Sequence, residues 1–163
     1  MSWRDIPVRA WFATLALAAF GLVAVGMELQ VLLTLAPCPL CIFQRLLYLA
    51  IGALALLGFL LPGGRLPWSG LIVLTGVGGF AVAAYQSWMQ AFPELATACN
   101  YADPNAIERL VDVLGMQWPW LFLATGFCTS RDWVFLGLSM ANWSVFVFLG
   151  FAGFAAWLAG RRT

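Results

Sequence analysis

Four cysteines are the residues of this chain that are best suited to chemistry. Cys38 and Cys41 form a C-x-x-C motif, whereas Cys99 and Cys128 stand far apart in the second half of the chain. A C-x-x-C pair is typical of a redox dithiol or of half of a zinc site. The chain has no histidine and no second C-x-x-C motif, so we predict no metal site. For both pairs, a redox role and a static structural disulfide remain open.

The position of Cys41 favours the redox interpretation. Pro37 and Pro39 disfavour helix before Leu40, so a helix is expected to begin near Cys41. The free N–H groups and the macrodipole at a helix N-terminus favour an anion. Cys41 is therefore the candidate thiolate, the form in which a cysteine reacts.

Arg45 lies four residues beyond Cys41, so both side chains share one face of that helix. An arginine near the membrane boundary is costly and needs a reason. It could simply extend its charged end to the lipid headgroups. The functional interpretation is that Arg45 holds the Cys41 thiolate and polarises an electron acceptor, with Gln44 as a further hydrogen-bonding side chain.

The composition predicts that these residues are positioned by a membrane protein. Hydrophobic residues make up 63% of the 163 residues, charged residues only 9%, and the mean hydropathy is +0.91. Soluble domains are roughly a quarter charged, and so little charge could not cover a soluble core. The net charge of +1 gives no sign of nucleic-acid binding. We predict one all-α membrane domain, residues 1–163.

Four stretches reach the roughly 20 apolar residues that a spanning helix needs. The first is too long for the apolar region of a signal peptide, and no clear small-x-small site follows it, so we expect it to remain as a span. The predicted four-helix transmembrane bundle has spans at residues 8–27, 42–61, 69–89 and 143–160, with loops at residues 28–41 and 90–142 on one side.

Five arginines flank the spans. Arg4 and Arg9 precede the first, Arg65 lies between the second and third, and Arg161 and Arg162 follow the fourth. Four crossings place all five on one side, which is cytoplasmic by the positive-inside rule, so both termini are predicted to be cytoplasmic. All four cysteines fall in the two loops on the opposite side, although hydropathy and charge do not depend on them. Disulfides persist in such compartments, the bacterial periplasm or the ER lumen.

Two weaker patterns concern packing. Small residues at four-residue spacing, which let membrane helices approach closely, occur at Gly79 and Ala83 and at Ala152, Ala156 and Gly160. The apolar segment 118–127 is too short to span; it lies either flat on the membrane surface or buried within the long second loop.

With these features the chain resembles the DsbB family, bacterial quinone-linked thiol oxidases that help to keep the periplasm oxidising. The resemblance covers nearly the whole chain. It rests on the four spans and on segments 38–45, 96–99, 126–128 and 133–138. A C-x-x-C motif followed by arginine at this spacing, with two further cysteines in the second loop, is a specific combination.

The resemblance implies a role for each cysteine. Cys99 and Cys128 would form the disulfide that meets a periplasmic thioredoxin-fold protein similar to DsbA, whose thiolate attacks Cys99. Electrons would then pass to Cys38 and Cys41, and Cys41 with Arg45 would reduce a membrane quinone, either ubiquinone or menaquinone. The resemblance also implies a bacterial inner-membrane location, with the cysteines periplasmic.

This chain departs from the family pattern in two places. Some members have a histidine where this chain has about Ser87, and the segment between Met89 and Cys99 is slightly shorter. Two alternatives stand beside this interpretation. One is a four-span scaffold with static disulfides, which would not need Arg45 near Cys41. The other is a quinone reductase of the vitamin K epoxide reductase type, which typically has its C-x-x-C motif in a late helix.

Overall fold

A computed structural model describes residues 7–61, 65–95 and 105–161. Within these ranges the chain is helical, apart from one short hairpin and the connecting loops. The elements, in chain order, are α1 (Val8–Leu32), α2 (Pro39–Leu60), α3 (Arg65–Ala91), a 3-10 turn (Pro93–Leu95), α4 (Ala106–Gln117), α5 (Pro119–Phe122), β1 (Val134–Phe135), β2 (Leu138–Ser139) and α6 (Met140–Gly160).

Helices α1, α2, α3 and α6 are each long and apolar enough to cross a membrane. This confirms the predicted all-α membrane fold with four spanning helices. The helices run beyond the apolar stretches in the sequence. For example, α1 continues to Leu32, past Glu28, because a polar residue near a span does not interrupt the hydrogen bonds of a helix. How much of each helix lies within the hydrocarbon stays a prediction.

The helices pack through aromatic rings that fill gaps over glycines. A Cβ atom on Gly58 of α2 would lie 2.7 Å from the ring of Phe12 on α1, and one on Gly79 of α3 would lie 2.3 Å from the ring of Phe148 on α6. Ala83 is fully buried. Larger residues at the two glycines would therefore push the helix pairs α1–α2 and α3–α6 apart.

The second small-residue pattern is wrong as a packing stripe. Ala152 is buried, but Ala156 and Gly160 are exposed. The buried face of α6 instead includes Phe148 and Ala155. The four-residue spacing drifts around a helix of 3.6 residues per turn, so it leaves the packed face after one repeat. Many apolar side chains point outward, as a lipid-facing surface requires.

The second loop contains α4, α5 and the hairpin. In segment 118–127, Trp118 and Trp120 are exposed while Phe122 is buried, so the segment has one face packed on the protein and one open face. The hairpin turns at Leu136 and Gly137, with φ values of 53° and 79°. Two successive positive φ values suit the tight turn between antiparallel strands, and the hairpin leads directly into α6.

Candidate active site

Cys38 and Cys41 lie at the start of α2. Cys38 is the N-cap, and its Sγ accepts a hydrogen bond from the backbone N–H of Cys41 at 3.3 Å. The helix begins at Pro39, two residues earlier than the sequence predicts, because proline lacks an N–H that the first turn would leave unpaired and its φ is already helical. The first turn of α2 therefore holds one sulfur as its cap and the other on its third residue.

The two sulfurs form a close pair of free thiols. The Sγ of Cys38 donates a hydrogen bond to the Sγ of Cys41, with the two atoms 3.0 Å apart. This hydrogen bond, reinforced by burial, raises the pKa of Cys38 well above its usual value. Cys38 therefore holds its proton and Cys41 accepts the hydrogen bond, which suits Cys41 as the thiolate.

Two glutamines complete the surroundings of the sulfurs. The Nε2 atom of Gln86, on α3, lies 3.2 Å from the Sγ of Cys38 and 3.0 Å from the Sγ of Cys41. Gln44 donates through Nε2 to the Oε1 atom of Gln86 at 2.7 Å. Both amides are buried, with 2% and 4% of their surface exposed. In the part of the chain that the structure describes, Gln44 thus reaches the sulfurs through Gln86, a residue that was not predicted from the sequence.

Arg45 lies close to this cluster but hydrogen-bonds elsewhere. Its guanidinium donates to the carbonyl oxygen of Leu121 at 2.6 Å and to the Oε1 atom of Gln30 at 2.7 Å. Among the described residues it forms no hydrogen bond to Cys41, and it acts on that sulfur through its charge. Arg45 therefore links α2 to α1 and to α5 of the second loop, which the sequence did not predict.

The second loop packs directly on the segment that precedes α2. The backbone N–H groups of Thr125 and Gly126 both donate to the carbonyl oxygen of Pro37, at 2.9 and 3.0 Å. A Cβ atom on Gly126 would lie 2.0 Å from the carbonyl oxygen of Ala36, so only glycine allows this approach. The contact fixes the chain two residues before Cys128.

Cys128 is buried in the same packed cluster as Cys38, together with Leu40 and Met89. It is disulfide-bonded in the structure. Cys99 lies outside the described residues, so its predicted pairing with Cys128 stays a prediction. The structure thus brings three of the four cysteines to one end of the bundle, with one pair as free thiols beside a sulfur that is already in a disulfide.

The end of α3 is tied to the second loop by another glutamine. Gln90 donates through Nε2 to the carbonyl oxygen of Ser130 at 2.9 Å, and its Oε1 atom accepts from the hydroxyl of Ser139 at 2.6 Å. Ser139 is also the N-cap of α6. Ser87, the position where some family members have histidine, donates to the carbonyl oxygen of Ala83 within its own helix.

A cavity of about 280 Å³ opens beside the C-x-x-C pair. Helices α1 and α6 form much of its wall, and the second loop covers one side. Its polar lining comes from side chains that converge from several elements: Gln30, Cys38, Cys41, Gln44, Arg45, Tyr48, Gln86, Gln90, Ser130, Arg131, Asp132, Ser139 and Ser144. Such an apolar cavity with a few convergent polar groups is typical of a small-molecule site. Among the described residues, no group of three or more His, Cys, Asp or Glu side chains could hold a metal ion.

Of the residues singled out from the sequence, Cys38, Cys41, Gln44 and Arg45 all line this cavity. Gln86 and Gln30, which also line the cavity, were not predicted from the sequence. One signal could have found both, since each is an uncharged polar residue within a mostly apolar helix, near the end where the cysteines lie. A buried amide in such a place requires a hydrogen-bonding partner.

Comparison with known proteins agrees with this arrangement. The family model described as disulfide bond formation protein DsbB matches residues 8–158. A relative from Dechloromonas aromatica named disulfide bond formation protein B is 69% identical over 162 residues, covering 99% of this chain and 98% of the relative. A protein of the same name from Nitrosomonas europaea is 39% identical over 159 residues, covering 96% of each chain. The chain therefore belongs to the DsbB family and is a multi-pass membrane disulfide oxidoreductase.

Proposed function

We propose that this protein is a protein thiol:quinone oxidoreductase, which reoxidises a periplasmic thioredoxin-fold protein similar to DsbA and reduces a membrane quinone. One observation carries the proposal. The free C-x-x-C pair lies between a cavity walled by α1 and α6 and the disulfide-bonded Cys128. A pair so placed can take electrons from one neighbour and give them to the other.

The transfer begins at the second loop. The partner's thiolate attacks Cys99 and releases Cys128 as a thiolate. Cys128 then attacks Cys38 of the oxidised C-x-x-C pair, and Cys41 leaves as a thiolate at the N-terminus of α2. Shared packing of Cys128 and Cys38 supports this direction of attack, and each step is a thiolate displacement through a mixed disulfide.

The remaining steps restore the second loop. The partner's other thiolate attacks its own sulfur in the mixed disulfide, so the partner leaves oxidised and Cys99 is released. The Cys99 thiolate then attacks Cys128 in its mixed disulfide with Cys38. This restores the Cys99–Cys128 disulfide and releases Cys38. The partner has then lost two electrons, and the C-x-x-C pair has gained them. Cys38 keeps a proton because its pKa is raised, while Cys41 remains the anion that faces the cavity.

The residues around the cavity fit a quinone ring. Pockets for drug-sized ligands have volumes of about 300 to 1,000 Å³. The cavity of about 280 Å³ is close to the lower end of this range, so it suits a single ring head group. Arg45 uses two of its N–H groups for Leu121 and Gln30, and a guanidinium has further donors for a ring carbonyl. Bound quinone supplies an acceptor for two electrons and two protons, and its reduction restores the Cys38–Cys41 disulfide.

We further propose that the protein lies in the bacterial inner membrane, with both termini cytoplasmic and the cysteines periplasmic. The arginines that flank the spans support this orientation. Thiol labelling from each face of sealed membranes tests it. Reduced Cys38 or Cys41 that reacts only with a cytoplasmic reagent would overturn the orientation.

The activity is tested by mixing the purified full chain in detergent with a reduced thioredoxin-fold partner and a soluble quinone, and following quinone absorbance. We expect turnover by the wild type. In Cys41→Ser, quinone reduction should be lost, because Cys38 then has no second sulfur with which to form the disulfide that releases two electrons. The partner should still reduce the disulfide of Cys128 in that variant, as thiol alkylation after acid quenching would show. Unchanged turnover in Cys41→Ser would reject the assigned role.

The same assay separates the scaffold alternative from an oxidase. Static disulfides would neither accept electrons from the reduced partner nor change their state when quinone is added. A chain that binds the partner without any loss of quinone absorbance would therefore favour a scaffold. The packing of Cys128 in the same cluster as Cys38 supports an oxidase, because it places the two pairs close enough to exchange.

A further inference from the structure

The amide of Gln86 is shared between two sulfurs. Its Nε2 atom lies within hydrogen-bonding distance of both Cys38 and Cys41, and its Oε1 atom is occupied by Gln44. An amide nitrogen carries two hydrogens, so each sulfur can receive one. Because the Oε1 atom of Gln86 accepts from Gln44, its Nε2 atom is oriented toward the C-x-x-C pair.

We propose that Gln86 is a catalytic residue that sets the reduction potential of the C-x-x-C pair by donating hydrogen bonds to whichever sulfur carries negative charge, and that Gln44 is the positioning residue that orients its amide. The inference deepens the function proposed above and rests on it for the electron-carrying role of the pair.

The energetic reason is the difference between the two redox states as hydrogen-bond acceptors. A thiolate is anionic and accepts strongly, because hydrogen bonds to charged groups are roughly twice as strong as neutral ones. The sulfurs of a disulfide are neutral, and sulfur is then a weak acceptor. Gln86 therefore stabilises the reduced pair more than the oxidised pair, which makes the pair a stronger oxidant.

The surroundings make this donor effective. Gln86 and Cys38 are each 2% exposed and Cys41 is half-buried, so bulk water has little access to the donor. Glutamine is also uncharged at every pH, so it can approach an anion closely without repelling it. Donation to both sulfurs lets the same side chain serve Cys41 when it leaves as a thiolate and Cys38 when it is later released from Cys128, without any rearrangement.

The test isolates the C-x-x-C pair in the full chain. In a Cys99→Ala and Cys128→Ala background, without quinone or partner, the pair is equilibrated with glutathione buffers and its reduced fraction is measured by alkylation. Replacing Gln86 with Met removes the donor but keeps the length of the side chain. We expect the equilibrium constant to move about tenfold to hundredfold toward the disulfide. This corresponds to a reduction potential of the C-x-x-C pair that is lower by about 30 to 60 mV.

Two further variants give the shift a chemical signature. Gln86→Glu should move the equilibrium further than Gln86→Met at high pH, because a carboxylate repels the thiolate. The shift should shrink on acidification, since a protonated carboxyl regains one O–H donor. Gln44→Met should produce a smaller shift of the same sign, because it frees the Gln86 amide to turn. It also serves as the test if the Gln86 variants do not fold.

Ser87→Ala is the matched control, since Ser87 adjoins Gln86 on α3 but its hydroxyl donates to the carbonyl oxygen of Ala83 within its own helix. It should titrate like the background. The proposal is overturned if Gln86→Met folds and titrates like Ser87→Ala, if Gln44→Met does so when the Gln86 variants do not fold, or if Ser87→Ala shifts as far as Gln86→Met. Because neither quinone nor partner is present, a negative result here is distinct from failure of the proposed oxidase activity.

Discussion

The contact between the two loops offers the sharpest test of how electrons reach the C-x-x-C pair. A Cβ atom added at Gly126 would lie 2.0 Å from the carbonyl oxygen of Ala36 and 2.8 Å from its carbonyl carbon. Ordinary van der Waals contact begins at 3.4 Å. The obstructing atoms belong to the backbone, so Gly126→Ala forces the two loops apart by more than about 1 Å.

The magnitude follows from what that separation breaks. Two hydrogen bonds join Thr125 and Gly126 to Pro37, and each contributes about 0.5–1.5 kcal/mol. Losing both would cost about 1–3 kcal/mol of docking free energy. A displacement of about 1 Å between reacting groups can cost on the order of 100-fold in rate. We therefore expect transfer from the pair containing Cys128 to the C-x-x-C pair to slow by about 10- to 100-fold.

Rapid mixing with reduced partner, followed by acid quenching and alkylation, measures the redox state of each pair over time. In Gly126→Ala, the pair containing Cys128 should be reduced at a normal rate while the C-x-x-C pair lags behind. Gly153→Ala is the control, because a Cβ atom there would meet nothing within 4 Å. If both variants pass electrons between the pairs at the wild-type rate, the docking contact does not govern transfer.

Two other predictions concern single side chains. Arg45→Ala should raise the apparent KM for soluble quinone by about tenfold or more, because a charged hydrogen-bond donor is lost. The variant should also expose α5 to protease, because the hydrogen bond to Leu121 is lost. A wild-type KM would remove Arg45 from the quinone site. Because the pKa of Cys38 is raised, its thiol should stay protonated as the pH rises past about 8.5, the usual pKa of a cysteine. The rate of Cys38 alkylation, followed by mass spectrometry, should therefore reach half its maximum only above that pH. In Cys41→Ala the midpoint should fall, since the hydrogen bond to Cys41 is the largest cause of the shift; an equal midpoint in both proteins would contradict that cause.

The sequence by itself determined the fold class and the reactive motif. Spanning helices follow from local composition, because the bilayer accepts only long apolar stretches whose backbone groups are paired within the helix. The place of Cys41 in the first turn of a helix follows from the neighbouring prolines, again a local effect. The start of α2 at Pro39, two residues earlier than predicted, also has a local cause. Proline is tolerated at the first helical position and disfavoured only later in a helix.

Only the tertiary structure decided which side chains surround the sulfurs. Gln86 lies more than 40 positions beyond Cys41 in the chain, and packing of α3 against α2 brings its amide to both sulfurs. Arg45 appeared from its spacing to serve Cys41, yet its hydrogen bonds go to Gln30 and Leu121. Helical spacing fixes the face on which a residue lies, but the length and flexibility of an arginine let its charged end reach partners on other elements. Those partners are set by the packing of sequence-remote segments, which no local pattern contains.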